Sequence, residues 1–125
     1  MAYVYFCNNP RHKCIIGDCV IRALSCAMNK SWDTVYIDLA SEGFAMKDLP
    51  SSNEVWGSYL YSNGYRKHSV SDSYTYTIGQ FADDNKNGIY VVGTGTHAVC
   101  IKFGNIYDTW NSENEVVSFY WERED

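Results

Sequence analysis

The chain has no cluster of lysine or arginine. Ten basic side chains are scattered among fifteen acidic ones, for a net charge of −5. Phosphate backbones are held by concentrated positive charge, so no nucleic acid is expected as a partner. No apolar run approaches the roughly 20 residues of a membrane-spanning helix, so no membrane partner is expected either. The opening Met1-Ala2-Tyr3-Val4-Tyr5-Phe6 lacks the basic n-region and long apolar h-region of a secretory signal, which makes a cytoplasmic protein the expectation. There is no internal repeat and no low-complexity segment. Cys7, Cys14, Cys19, Cys26 and Cys100 are odd in number, and in a reducing compartment free thiols are expected over a disulfide framework.

What is present reads as globular. The 125 residues are 46% hydrophobic and 16% aromatic, enough for one core and a single domain spanning 1–125. Residues 1 to 17 hold a short apolar start and a polar loop around Asn8, Asn9 and Pro10. Val20, Ala23, Leu24 and Ala27 recur at helical spacing and predict a buried helix over about 18–29, with Asp18 as its N-cap residue. A second helix starts after Ser31, buries Trp32, Val35, Tyr36, Leu39 and Ala40, and ends near Gly43. A third carries a capping-box pattern, Ser51 with Glu54, and buries Val55, Trp56, Tyr59 and Leu60 before Asn63-Gly64. These aromatic faces read as core, and no cofactor is expected.

Beyond Gly64 the texture changes. Tyr65 to Tyr76 is polar and aromatic with room for one short strand, and Thr77 with Gln80 caps a helical turn through Phe81 and Ala82. Strand signals then follow at Gly88–Val92, His97–Phe103, Ile106–Trp110 and Val116–Trp121, separated by short turns that imply antiparallel pairing. Helices in the N-terminal part and a sheet in the C-terminal part make an α+β pattern.

Cys19 stands in the first turn of the first helix, where unpaired amides and the helix dipole favour a thiolate. That contribution is about 1 kcal/mol, less than one pKa unit, so a nucleophilic thiol also needs an imidazolium partner. Of the three histidines, His97 is best placed, after a Gly-Thr turn at the start of an apolar strand. Asp108, on the next strand, is positioned to fix the imidazole tautomer. Cys26 and Cys100 read as packing. Arg22 reads as an edge ion pair with Asp18 or a C-terminal acid.

Asp18-Cys19 opening a helix, His97-Ala98-Val99 on a strand and Asp108-Thr109-Trp110 on another follow one another in that order over residues 17–110. This arrangement resembles the papain-like cysteine peptidases, and most closely the small bacterial and phage members related to the bacteriocin-processing peptidases. The resemblance implies N-terminal helices packed on a C-terminal antiparallel sheet. It implies hydrolysis of a peptide or isopeptide bond in a peptide or protein substrate. Cys19 would be nucleophile, His97 general base and then acid, and Asp108 the orienting group. Trp110 would screen the His97–Asp108 bond, as the Trp of the family's Asn-Ser-Trp triplet does. The family's oxyanion-binding Gln, six residues before the cysteine, is replaced here by Lys13. Lys13, or Asn8 or Asn9 through a rearranged loop, would donate beside the Cys19 backbone N–H.

Three other readings stand beside this one. Cys7, His12, Cys14 and Cys19 offer four zinc ligands within thirteen positions, a reading set beside the thiol enzyme, for which no metal is expected. The same scaffold could serve as a non-catalytic binding protein, phage- or mobile-element-encoded, docking a host protein through the Tyr-rich segment Tyr59–Tyr76; the bland alternative packs those rings on the sheet. A thiol enzyme acting on a non-protein amide, or transferring an acyl group, uses the same three residues.

Overall fold

The computed structural model describes residues 2–70 and 75–124. In chain order the elements are β1 (Ala2–Tyr5), α1 (Cys19–Met28), α2 (Trp32–Met46), α3 (Asn53–Ser62) and β2 (Tyr65–Ser69). Then come α4 (Ile78–Asp84), β3 (Ile89–Gly93), β4 (Ala98–Lys102), β5 (Asn105–Asp108) and β6 (Phe119–Arg123). The fold is α+β. Its six strands form one mixed sheet in the order β1-β5-β4-β3-β6-β2.

The sheet departs from the expected all-antiparallel one at its edge, where β1 runs parallel to β5 with Tyr5 beside Asp108. The other pairings are antiparallel. An edge strand of four partly exposed residues leaves little hydrophobic periodicity to read, and the partner that makes it a strand lies a hundred residues away.

Both faces of the sheet are covered. Ile89, Val91, Ala98 and Cys100 pack with Ala23, Leu24, Leu39, Trp56 and Leu60 of α1 to α3. Tyr90, Val92, Val99 and Ile101, the alternate residues of the same strands, pack with Ile78, Phe81 and Ala82 of α4. Burial on both sides explains why β3 and β4 are continuous apolar runs.

Helix boundaries follow local chemistry. The Ser31 hydroxyl accepts from the Thr34 N–H, as its position predicts. At α3 the cap is Ser52, one residue later than expected, accepting from the Val55 N–H. Thr77 and Gln80 form the expected capping box, and α4 runs on to Asp84. Gly43 does not end α2. It is buried inside the helix, and a Cβ there would lie 2.8 Å from the Asp48 carbonyl oxygen and 3.1 Å from the Pro50 nitrogen. The missing side chain lets the returning backbone cross the helix, and the helix ends at Lys47 in left-handed conformation.

Cys7 and Cys14 are joined in a disulfide, which corrects the expectation that all five thiols are free. Cys19, Cys26 and Cys100 are free. The bond also takes two of the four candidate zinc ligands out of reach of a metal, since a disulfide sulfur is not a thiolate donor. The Tyr-rich segment is not one contact surface: Tyr59 and Tyr65 are buried while Tyr61 is exposed. Residues 71–74 of that segment lie outside the described residues.

Candidate active site

α1 packs against β4, and this brings its N-terminal turn to the start of that strand. The Thr94–His97 turn is tight. The Thr94 N–H donates to the His97 carbonyl at 2.8 Å, and the Thr94 hydroxyl accepts from the N–H groups of Thr96 and His97. That turn fixes the backbone from which the imidazole projects. Asp108 ends β5, and β1 pins its backbone: its carbonyl accepts from the Phe6 N–H at 2.8 Å and from the Tyr3 hydroxyl at 3.2 Å.

The structure brings Cys19, His97 and Asp108 together. His97 Nε2 lies 2.7 Å from Asp108 Oδ2. The His97 ring also acts on the Cys19 thiol, lowering its pKa, and with Nε2 on Asp108 the nitrogen left to serve the thiol is Nδ1. The Ala98 backbone acts on the Cys19 thiol in the same direction. Trp110 packs against the imidazole at 5.0 Å between ring centroids, on the ring that shares the Asp108 bond.

Asp108 is 1% exposed and its carboxylate is fully engaged. Oδ1 accepts from Arg22 Nη2 at 3.0 Å and from the Thr109 N–H at 2.8 Å. Oδ2 accepts from His97 and from the Ser112 hydroxyl at 2.8 Å. Arg22 in turn donates through Nη1 to Asp18 Oδ1 at 2.5 Å, and the Trp32 indole N–H donates to Asp18 Oδ2 at 2.9 Å. A single buried chain of charged and polar groups therefore runs Trp32–Asp18–Arg22–Asp108–His97–Cys19.

These contacts set the protonation states. Burial opposes a charge on His97, but the hydrogen bonds to Asp108 and Cys19 and their negative charges outweigh it, and its pKa rises to about 9. Burial pushes the Cys19 thiol up, yet the bonds from His97 and Ala98 and the charges of His97 and Arg22 bring it below an ordinary thiol. Burial likewise disfavours the Asp108 carboxylate, but His97, Ser112 and the Thr109 N–H hold it below the usual range. A thiolate facing an imidazolium is the arrangement these shifts favour.

Asp18 occupies the N-cap position of α1 but makes no side-chain cap bond, because both its oxygens are spent on Arg22 and Trp32. The first turn of α1 forms part of the wall of a cleft of about 400 Å³, lined from Gly17 to Ile21. Val20, Leu39, Pro50, Trp56 and Phe119 add apolar walls; Tyr36, expected in the core, is half exposed and lines the cleft. No Lys, Arg or Glu lines it, and its one carboxylate, Asp18, is already paired.

The candidate oxyanion side chains lie elsewhere. Lys13 is exposed and does not line the cleft, because the Cys7–Cys14 bond closes residues 7–14 into a loop of its own with His12 in left-handed conformation. Asn8 donates to the Ser25 hydroxyl and faces a different cavity, beside Phe6 and Lys102. The Asn9 side-chain oxygen accepts from the Arg11 N–H and is used up in a turn. The expected Arg22–Asp18 ion pair, at i,i+4 spacing, is present, and Arg22 reaches the C-terminal acid Asp108 as well; Trp32, expected in the core, is half-buried and donates to Asp18. Ser112 and Thr94 carry no comparable signal, since a lone hydroxyl in a loop is common. No protein-family model, curated protein or solved structure matches the chain.

Proposed function

We propose that the protein is a cysteine hydrolase that cleaves an amide bond in a peptide or protein, on a papain-like plan. The observation that carries this reading is the His97 imidazole held between the Cys19 thiol and the buried Asp108 carboxylate, 2.7 Å from the latter. Cys19 Sγ attacks the carbonyl carbon, and the first-turn amides of α1, the Cys19 N–H first among them, take up the developing oxyanion. His97 Nδ1–H passes its proton to the leaving nitrogen as the C–N bond breaks and a thioester forms. Water then loses a proton to His97 and attacks the thioester, releasing the acid and returning the thiolate–imidazolium pair. The uncharged, largely apolar cleft favours an acyl group whose side chain carries no charge.

A second reading, a non-catalytic binding protein on the same scaffold, draws on exposed Ile15, Phe44 and Leu49 and on Lys13 lying outside the cleft. One pair of measurements separates the two. Iodoacetamide alkylation of Cys19 across pH should show an acid limb below that of a free thiol, lost in His97→Ala. The p-nitrophenyl ester of N-acetylphenylalanine should give a burst of nitrophenolate equal to the enzyme present. An ordinary thiol indifferent to His97, with no burst, would sink the enzyme reading and leave the binding protein.

A further inference from the structure

We propose that Arg22 is a positioning residue of this site, clamping Asp108 from the same helix that carries the nucleophile. The inference rests on the hydrolase reading and deepens it. Arg22 is 5% exposed and splits its two terminal nitrogens between two carboxylates, Asp18 on its own helix and Asp108 on β5. Asp108 cannot rotate without breaking a bond on either oxygen. One oxygen is tied to Arg22 and Thr109, the other to His97 and Ser112. Asp18, anchored by Trp32, holds the guanidinium from behind.

Stability alone is a poor account of this arrangement. A buried ion pair is often no more stabilising than apolar residues of the same volume. Its location says more. Arg22 lies three residues after Cys19, so α1 carries both the nucleophile and the clamp on the orienting acid as one rigid body. With Cys19 as thiolate, the cluster sets three anions, Asp18, Asp108 and Cys19, against two cations, Arg22 and His97, so without Arg22 the imidazolium alone would face all three. The other titratable groups on this cluster are Cys19 from α1 and Tyr3 from β1, whose hydroxyl reaches the Asp108 carbonyl; α2 contributes the neutral Trp32.

The test compares wild type, Arg22→Gln and Arg22→Lys, each checked for folding by its thermal transition. Cys19 alkylation by iodoacetamide is followed site by site across pH, and acylation by N-acetylphenylalanine p-nitrophenyl ester is followed by its burst rate. Loss of the positive charge in Arg22→Gln should move the acid limb of alkylation up by about one pH unit. Arg22→Lys keeps the charge but not the two-pronged geometry; its limb should stay near wild type while acylation slows about tenfold. A merely structural arginine lowers the melting temperature and leaves the limb where it was. A limb unmoved in folded Arg22→Gln, or acylation undiminished in Arg22→Lys, overturns the proposal and spares the hydrolase reading. An ordinary limb in the wild type, indifferent to His97→Ala, overturns both. Should Arg22→Gln not fold, the double variant Asp18→Asn/Arg22→Gln leaves no orphaned acid beside it and is read by the same limb.

Discussion

His97 keeps its proton far into the alkaline range, and that has a consequence for stability as well as chemistry. Its pKa is raised from 6.5 to about 9 by partners that exist only in the folded state. A raised pKa means that the folded form binds the proton more tightly, so the contribution is complete below about pH 6.5 and is lost as the pH climbs through 9. The shift corresponds to about 3 kcal/mol. The melting temperature of wild type should therefore exceed that of His97→Gln at pH 6, and the gap should close between pH 6.5 and 9. A gap constant over that range would mean that His97 is neutral in the fold. The three residues that the fold brings together were legible from type and order: a cysteine at a helix start, a histidine opening a strand and an aspartate closing another. Their hydrogen-bond partners were not, because Ser112, Thr109 and the amides of Thr96 and His97 act through positions that only the fold defines.

Among the elements, the span of α1 followed from hydrophobic period and the start of α2 from the Ser31 cap, while Asp18 makes no cap bond and Gly43 marks where that reasoning stops. A glycine after an apolar period normally signals a helix end. Here the signal has a tertiary cause, since the turn through Asp48 and Pro50 crosses the helix at van der Waals distance. Two effects compete in Gly43→Ala. Alanine gains up to about 1 kcal/mol of helix propensity. Its Cβ meets backbone at 2.8 and 3.1 Å, which cannot swing aside as a side chain would. Overpacking of this kind costs about 1–3 kcal/mol. The clash should win, and a denaturant titration should show net destabilisation. Equal or greater stability would mean that the α2–α3 turn is free to shift. Pro50 and Ser51 of that turn line the cleft, so the same variant should also slow acylation.

At the scale of the molecule, the Cys7–Cys14 disulfide ties the strand β1 to the loop that leads into α1. A bridge closing so short a loop stabilises by about 2 kcal/mol. Unfolded without reductant, the protein should titrate three thiols, Cys19, Cys26 and Cys100, and after reduction five. Five thiols without reductant would remove the bridge. A reducing compartment was the ground for expecting all five thiols free, and the bridge departs from that expectation. No helix among the described residues is long and apolar enough to cross a membrane.

The sequence by itself determined the α+β class, the helices and the inner strands, because period and caps are local properties of neighbouring residues. It also singled out Cys19, His97 and Asp108 as candidates, since residue type dictates what a thiol, an imidazole or a carboxylate can do. Only the tertiary structure decided the parallel edge strand β1, the covering of both sheet faces and the disulfide. It also decided that Asp18 turns from capping its helix to holding Arg22, and that Lys13, Asn8 and Asn9 face away from the cleft. Each of these depends on contacts between residues far apart in the chain, or on a side chain's choice among several partners. Spacing in a sequence encodes neither.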